Sequence, residues 1–328
     1  MKRRALITGI NGQDGSYLAE LLLEKDYKVY GILKRNSVSE NQTARLNNVY
    51  SIINSNLVYA DMTDMASLIK VIKQIQPDEI YNLAAQSHVR ISFDQPIYTA
   101  NVVAMGTLNL LEAIKLVCPK AKMYQASSSE MFGNNIDEDG YQRETTPMSP
   151  VSPYGCAKVF GYNIVRNYRK SYRLFTSNGI LFNHESPRRG TNFVTNKVAK
   201  EAVKIKNGYT DKLYMGNLDA CRDWGHAKDY VKCMWLILQH HKPDDFVCST
   251  GISHSVEDLV KYVFNKVGLN DWKNFVSIDK KYLRPEELNV LKGDCSKAKK
   301  ILGWKHEYTF ESMIDEMVQY WEKKYESI

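Results

Sequence analysis

Several residue patterns that would assign a protein to a particular class are missing from this sequence of 328 residues. The six cysteines, at positions 118, 156, 221, 233, 248 and 295, form no CxxC pair and no dense cluster. This spacing argues against a disulfide-stapled secreted fold and predicts free thiols in a reduced, cytoplasmic setting. The seven histidines include no HExxH motif, so we predict no metal site.

Long apolar runs are also scarce. We find no run of the roughly 20 residues that a membrane-spanning helix needs, and "NGQDGS" interrupts the N-terminal "MKRRALITGI" before a signal-peptide core could form. We therefore expect a soluble protein that is not exported and binds no membrane. The formal charge is +7, from 44 Lys and Arg against 37 Asp and Glu. Because the basic residues are dispersed, this charge fits an anionic small substrate as well as nucleic acid.

Short apolar strands alternate with helices over the first half of the chain. The segments "RRALITG", "YLAELLLEKD" and "YKVYGIL" indicate strand, helix and strand, and the rhythm continues to "TANVVAMGTLNLLEAIKLV" and "KMYQASS". This predicts an α/β fold with a Rossmann-type doubly wound parallel sheet. After about residue 183 the rhythm becomes irregular. We predict a dinucleotide-binding domain at 1–183, to which a segment near 223–250 returns, and a smaller C-terminal α/β substrate domain at 184–328.

A glycine-rich turn follows the first strand in "TGINGQDG", with Gly9, Gly12 and Gly15 between strand and helix. Glycines let the backbone approach a pyrophosphate, which then binds the free amides at the helix N-terminus. The spacing GxxGxxG is weak evidence alone, and a tight turn without a ligand is the alternative. The strand, turn and helix order favours a dinucleotide site that also includes Asn11, Gln13 and Asp14.

The end of the second strand bears on the choice of dinucleotide. An NAD site would normally carry Asp or Glu there, but this sequence has Lys34 and Arg35 in "GILKRNS". These are either solvated surface charges or a site for the 2′-phosphate of NADP, and their position favours NADP. We expect Asp61 and Met62 near the adenine, and the segment "LAAQS" (Leu83, Ala84, Ala85, Gln86 and Ser87) beneath the cofactor.

Tyr154 and Lys158 in "SPYGCAK" are spaced i,i+4, so their side chains share one helix face. The ammonium is expected to lower the pKa of the tyrosine from about 10, which suits proton transfer from a sugar hydroxyl during hydride transfer. YxxxK alone is a common pattern. After a glycine-rich N-terminus and five alternating units, it resembles the extended short-chain dehydrogenase/reductase superfamily.

Glu130, in "YQASSSEMFG", distinguishes branches of that superfamily. The resemblance implies that epimerases place a hydroxyl near the Tyr/Lys pair but no acid, whereas 4,6-dehydratases use an acid to eliminate water between two hydride transfers. Glu130 is then the base at carbon 5 and the acid for the departing water. The alternative is a surface carboxylate after a strand.

Eight separated segments, among them "TGINGQDGSYLAELLL", "LFNHESPRRGTNFVTNK" and "CRDWGHAKDYV", resemble the GDP-mannose 4,6-dehydratase family along nearly the whole chain. The resemblance implies a nucleotide-sugar 4,6-dehydratase that acts on GDP-mannose with retained NADP and binds no nucleic acid. It implies catalytic roles for Ser128, Glu130, Tyr154 and Lys158. It implies cofactor contacts, beyond those above, for Tyr154, Lys158, Arg35, Tyr98, His184 and Arg189. It implies substrate contacts for Ser87, Ser128, Glu130, Asn183, Lys197, Arg222, Arg284 and Glu287.

Two departures from the family pattern stand out. Ser128 replaces the family's usual threonine, which keeps the hydroxyl but removes the rigid β-methyl group. The loop "RNSVSENQTARL" is longer than usual at a place where family subunits meet, and a homo-oligomer, dimer or tetramer, is implied. Two alternatives stay open: another nucleotide-sugar dehydratase or epimerase of the superfamily, and an NADP-binding sensor or scaffold without chemistry.

Overall fold

The computed structural model of the protein describes residues 2–36 and 42–326, so residues 37–41 of the long loop lie outside the described part. The strands are β1 (Arg4–Thr8), β2 (Lys28–Leu33), β3 (Leu57–Tyr59), β4 (Glu79–Asn82), β5 (Lys122–Ser128), β6 (Thr176–Leu181), β7 (Asn183–Glu185), β8 (Leu213–Met215), β9 (Cys221–His226), β10 (Asp245–Cys248), β11 (Ser253–Ser255) and β12 (Val276–Ile278).

The helices cover the sheets and fill the connections between strands. They are α1 (Gln13–Glu24), α2 (Tyr50–Ile53), α3 (Met65–Ile75), α4 (Val89–Asp94), α5 (Pro96–Ala100), α6 (Gly106–Val117), α7 (Pro153–Ser171), α8 (Val194–Lys206), α9 (Ala227–Gln239), α10 (Val256–Lys266), α11 (Ser296–Leu302) and α12 (Phe310–Glu326).

The main sheet has seven strands in the order β10-β6-β5-β4-β1-β2-β3, and every neighbouring pair is parallel. This confirms the predicted Rossmann-type doubly wound sheet. The direction of winding reverses between β1 and β4. In such sheets ligands bind outside the carboxyl ends of the strands at this reversal.

Both faces of the main sheet are buried, as the apolar sequence of β1 requires. Ala5 and Ile7 pack in one cluster with residues of α1 and α9, whereas Leu6 packs in another with residues of α3 and α6. Side chains alternate across a strand, so a continuous apolar run needs helices on both sides. The two helical layers satisfy that need.

A further core lies on the C-terminal side of the chain. It joins Val198 of α8, Trp224 of β9, Phe264 of α10 and Met317 of α12. Beside it are a sheet in the order β11-β9-β7 and the pair β12-β8. The chain nevertheless returns to the main sheet, because β10 pairs with β6. The predicted division at residue 183 stays a prediction.

The helix predicted over residues 99–117 is interrupted. The structure places a π-helical turn, Asn101–Met105, between α5 and α6. By length and composition the whole segment Pro96–Val117 could cross a membrane, which our reading of the sequence did not predict. Half of its most apolar part is buried inside the fold, as expected for a helix packed between α3 and α7.

The prediction of six free thiols is wrong for one pair. Cys233 of α9 and Cys248 of β10 are joined as a disulfide, and both are fully buried. Their side chains meet because α9 lies over the main sheet beside β10, a proximity that their sequence spacing does not reveal. The other four cysteines are free thiols.

Candidate active site

A cleft of about 1160 Å³ opens at the carboxyl ends of the central strands. It collects nearly all the residues predicted to form the site. Those lining it are Gly9, Asn11, Gly12, Gln13, Asp14, Gly15, Asp61, Met62, Leu83, Ala84, Ala85, Ser87, Tyr98, Ser128, Glu130, Tyr154, Lys158, Asn183, His184, Arg189, Lys197, Arg222, Arg284 and Glu287.

Two predicted residues do not line the cleft. The Gln86 side chain holds its own loop, donating to the carbonyl of His88 and the hydroxyl of Thr99, each at 3.1 Å. The Arg35 guanidinium lies 5.5 Å from the centre of the Tyr59 ring on an exposed surface. The side chains of Gln86 and Arg35 therefore do not face the cleft, although residues next to them in the sequence line it.

The glycine turn is packed too closely for larger residues. Gly9 has φ +66°, and a Cβ there would lie 3.0 Å from Ala84 Cα. A Cβ on Gly15 would lie 2.4 Å from the carbonyl oxygen of Gly9. Gly12 caps α1 without a side-chain hydrogen bond, so amides of the first turn are free for an anion. This geometry fits the pyrophosphate of a dinucleotide.

Charged and aromatic side chains also meet in the cleft beside the end of β2. Lys34 Nζ donates to the hydroxyl of Tyr98 at 3.0 Å and lies 3.3 Å from Asp61 Oδ2. The hydrogen bond to Tyr98 is the main cause of the raised pKa of Lys34. Lys34 thus lines the cleft where the sequence placed the ribose end of a dinucleotide, although Arg35 does not.

The predicted catalytic residues meet at the ends of β5 and α7. Ser128 ends β5, and its hydroxyl accepts from the amide of Glu130 at 3.2 Å. Gly155 lets the first turn of α7 lie against this segment, because a Cβ there would be 2.9 Å from the carbonyl oxygen of Glu130. Tyr154 hydrogen-bonds Ser128, and Lys158 Nζ donates to the carbonyl of Ala126 at 2.6 Å.

The expected lowering of the Tyr154 pKa is wrong for the protein without cofactor. Burial raises the pKa of this phenol, although its hydrogen bond with Ser128 opposes the rise. Burial also lowers the pKa of Lys158 to about 8. Desolvation disfavours both the Tyr154 phenolate and the Lys158 ammonium. This effect is larger than the attraction between the two charges that we expected from their i,i+4 spacing.

Glu130 is buried, with 7% of its surface exposed. Its Oε1 accepts from Arg284 Nη1 at 3.4 Å, whereas its Oε2 has no hydrogen-bond partner among the described residues. A buried carboxylate oxygen without a partner is costly unless a ligand satisfies it. The oxygen without a partner is therefore available to a ligand in the cleft.

An alternating chain of charges continues from Glu130 along the substrate side. Arg284 lies 3.6 Å from Glu287 Oε1, and the same oxygen accepts from Arg222 Nη2 at 3.2 Å. Arg222 is further anchored by the carbonyl of Leu288 at 3.0 Å. Glu287 therefore holds two guanidinium groups together, an arrangement that suits a diphosphate.

His184, which the resemblance assigned to the cofactor, has both ring nitrogens engaged by the protein. Its Nε2 lies 2.7 Å from Asp14 Oδ2, and its Nδ1 lies 2.7 Å from the carbonyl oxygen of Phe182. The ring stacks on Tyr230 with centroids 4.6 Å apart. The imidazole is thus saturated before any ligand binds.

Sequence reasoning missed the aromatic residues at the outer end of the cleft. Tyr214 and Tyr282 line it beside Lys197, whose Nζ lies 3.5 Å from the centre of the Tyr282 ring. Tyr214 lies within β8, and Tyr282 follows β12. They share no sequence motif that could have indicated them. Among residues 2–36 and 42–326, no group of three or more His, Cys, Asp or Glu is placed to hold a metal ion.

The family model and the similar proteins of known sequence all indicate the same family. The family model described as GDP-mannose 4,6 dehydratase matches residues 6–317. GDP-mannose 4,6 dehydratase 2 of Arabidopsis thaliana is 51% identical, with 97% of this chain and 86% of the relative covered. GDP-mannose 4,6 dehydratase of Cricetulus griseus is 49% identical, with 97% of this chain and 91% of the relative covered.

Solved structures share the fold at lower identity. The dTDP-glucose 4,6-dehydratase of Bacillus anthracis in complex with NAD has a TM-score of 0.83 at 22% identity, covering 99% of this chain and 98% of its own. RMD of Pseudomonas aeruginosa complexed with NADPH has a TM-score of 0.80 at 19% identity, covering 98% of this chain and 100% of its own. At these identities the likeness establishes the fold alone.

Proposed function

The chain belongs to the GDP-mannose 4,6-dehydratase family, and on that premise we propose how its own residues carry out the reaction. The protein is a nucleotide-sugar 4,6-dehydratase, a hydro-lyase that converts GDP-mannose to GDP-4-keto-6-deoxymannose. One observation carries the assignment of roles: the buried Glu130 carboxylate, one oxygen of which has no partner among the described residues, lines the same cleft as Ser128 and Tyr154, and its charge acts on the Tyr154 hydroxyl.

The proton transfers follow from this geometry. A nicotinamide dinucleotide held at the glycine turn would supply the hydride chemistry, as acceptor of hydride from carbon 4 of the hexose and as its donor to carbon 6. Tyr154 takes the proton of the 4-hydroxyl, while Ser128 orients that hydroxyl and the Lys158 ammonium favours the phenolate. Glu130 then takes the proton from carbon 5, which the 4-ketone has acidified. The same carboxyl gives this proton to the departing 6-hydroxyl, which leaves as water. Carbon 5 regains a proton as hydride returns to carbon 6, and release of the proton held by Tyr154 closes the balance.

Arg222 and Arg284 are proposed to bind the diphosphate of the substrate. Glu287 holds both guanidinium groups on one side of the cleft, and guanidinium groups pair with phosphate oxygens through two parallel hydrogen bonds. Lys197 and Asn183, which also line the cleft, complete the proposed grip on the GDP-sugar. When Arg284 moves to the diphosphate, the second oxygen of Glu130 is released as well.

NADP is the proposed cofactor. Proteins that share the fold bind NAD in one case and NADPH in another, so the fold does not decide. The proposal rests on the end of β2, where Lys34 and Arg35 stand in place of an acid. Their positive charges suit a 2′-phosphate, whereas an acid would accept from the ribose hydroxyls of NAD.

Self-association is proposed from the exposed apolar side chains of α5, α6 and α7. Ile97 is 76% exposed, Leu116 59% and Phe160 40%. Both α5 and α6 pack against α7, and we propose that a second copy of the chain covers the exposed apolar side chains of these helices. Light scattering on the purified protein measures the mass of the assembly, and a monomer at micromolar concentration would refute the proposal.

Product analysis tests the function. The purified protein is incubated separately with GDP-mannose and with uridine and thymidine diphosphate hexoses, and products are weighed by mass spectrometry. We expect loss of one water from GDP-mannose and no change in the others. An isomer of unchanged mass would indicate an epimerase, and loss of water from another nucleotide hexose would indicate a different dehydratase.

A further inference from the structure

The contacts of His184 favour its protonated state. A carbonyl oxygen can only accept, so the nitrogen facing Phe182 carries a hydrogen. Asp14 lies in the first turn of α1, where the helix dipole favours its charged form, and its Oδ1 accepts from Gln13 Nε2 at 3.0 Å. The nitrogen facing this carboxylate therefore also carries a hydrogen. His184 is an imidazolium paired with an aspartate, and the two side chains are 12% and 21% exposed.

Asp14 stands where an anionic ligand is expected. The free amides of the same helix turn fit a pyrophosphate, and a bare carboxylate beside them would repel it. We propose that His184 is a positioning residue that cancels the charge of Asp14 and so permits a dinucleotide to bind at the start of α1. The proposal rests on the proposed function only for the identity of the ligand.

The pair also joins two walls of the cleft. Gln13 Nε2 donates to the carbonyl of His184 at 3.1 Å, and the hydroxyl of Ser186 donates to Gln13 Oε1 at 2.8 Å. The start of α1 is thereby tied to β7, which carries Asn183 on the substrate side. An enzyme that regenerates its cofactor in every turnover has no need to release it, and this tie favours retention.

Other charged groups set the response of the pair to pH. Burial acts to lower the pKa of His184, but the Asp14 carboxylate overrides burial and raises it. Burial acts to raise the pKa of Asp14, but His184 overrides that effect and lowers it. The remaining titratable groups that face the pair are Arg189, which is paired with Glu185, and Tyr230, Tyr124, Tyr154 and Lys158.

The sign of the effect follows. Below the pKa of His184 the pair is neutral overall, and the dinucleotide meets no net negative charge. As pH rises through that pKa, the imidazolium loses its proton and leaves Asp14 bare. The affinity for the dinucleotide must then fall. In a variant whose residue 14 is neutral, the affinity should no longer depend on the protonation of His184.

Cofactor affinity, measured without any sugar substrate, tests the proposal. NADP is titrated calorimetrically into the cofactor-free full-length protein from mildly acidic to mildly alkaline pH. We expect wild-type affinity to fall with rising pH. Below the pKa of His184, His184→Gln should bind NADP roughly tenfold to a hundredfold more weakly than the wild type, the range for one unpaired like charge near a protein surface, and the difference should disappear at higher pH. Asp14→Asn should remove the pH dependence, and the double substitution should restore most of the affinity lost in His184→Gln.

A matched control comes from a second ion pair between the same parts of the chain. Glu20 of α1 pairs with Arg188, which follows β7, at 2.6 Å, but it lies outside the first helix turn. Glu20→Gln should leave the pH dependence unchanged. If the double substitution binds as weakly as His184→Gln, the pair acts only as a structural tie and the proposal is wrong.

The NADP titrations of the wild-type protein test the proposal even if a variant does not fold, because an affinity that does not change with pH would overturn it.

Failure of the proposed function would give a different result from failure of this proposal. A wild type that binds NADP with the expected pH dependence but does not dehydrate GDP-mannose would sustain the pair and refute the reaction. Binding of neither NADP nor NAD would overturn both.

Discussion

Glu130→Gln should stop the reaction after the first oxidation. The amide has nearly the shape of the carboxylate but cannot take the carbon 5 proton, while Tyr154 and Lys158 are untouched. Loss of a general base lowers turnover by about 10² to 10⁴, or about 3 to 5 kcal/mol of barrier. The stability change should be smaller, about 1 kcal/mol, because Arg284 loses only a 3.4 Å contact and keeps Glu287 at 3.6 Å.

Absorbance of the reduced nicotinamide provides the assay. When the variant meets GDP-mannose, the signal should appear and persist, since hydride leaves carbon 4 but no acceptor forms at carbon 6. Solvent deuterium should not enter carbon 5. Tyr154→Phe is the matched control, because it should give neither the signal nor product. A Glu130→Gln variant that still releases water at a normal rate, with deuterium at carbon 5, would refute the assignment of the base.

Three further outcomes are expected. Lys34→Ala, at the β2 end where the side chain lines the cleft, should narrow the difference in affinity between NADP and NAD by about 1 to 3 kcal/mol, the range for hydrogen bonds to charged groups; equal wild-type affinities in cofactor titrations would refute this. Because burial holds the pKa of Lys158 near 8, kcat/KM should fall as pH rises through about 8 and the ammonium is lost; a profile flat across that range would contradict the role of Lys158. Asp223→Asn should lower the free energy of unfolding by about 2 to 5 kcal/mol. The two buried carboxylate oxygens of Asp223 accept from two backbone amides and a hydroxyl at 2.7–2.8 Å and from a third backbone amide at 3.3 Å. The side-chain amide of asparagine has only one accepting oxygen, so some of these donors would be left unpaired. Denaturant titration measures it, exposed Asp219→Asn is the control, and a loss below about 1 kcal/mol would contradict the reasoning.

The features that sequence could predict are local or periodic. The glycine turn, the strand and helix rhythm and the spacing of Tyr154 and Lys158 depend on neighbours within a few residues. The doubly wound sheet followed from them and is confirmed. The contact of Arg284 with Glu130 joins residues 154 positions apart, and that of His184 with Asp14 joins residues 170 apart. No spacing rule reaches so far, because the fold as a whole sets these distances.

Burial explains the failed expectation at the catalytic tyrosine. The sequence gives the distance between Tyr154 and Lys158 along a helix but not the depth of that helix in the protein. Desolvation depends on that depth, and it raises the pKa of the phenol. The cysteine pair of α9 and β10 was missed for a related reason, since their proximity follows from the order of strands in the sheet.

The position of β10 constrains the order in which the newly made chain can fold. Strand β6, buried along its whole length, is an edge strand until residues 245–248 have been synthesised, because β10 alone covers that side. In the growing chain, β6 therefore has no partner strand on one side while the 63 intervening residues, 182–244, are synthesised. Asp245 closes the edge by pairing with Arg169 and accepting from Asn178 Nδ2 at 2.8 Å. A chain ending before this point would keep an exposed strand able to pair with other chains, and aggregation rather than a smaller folded unit is its expected fate.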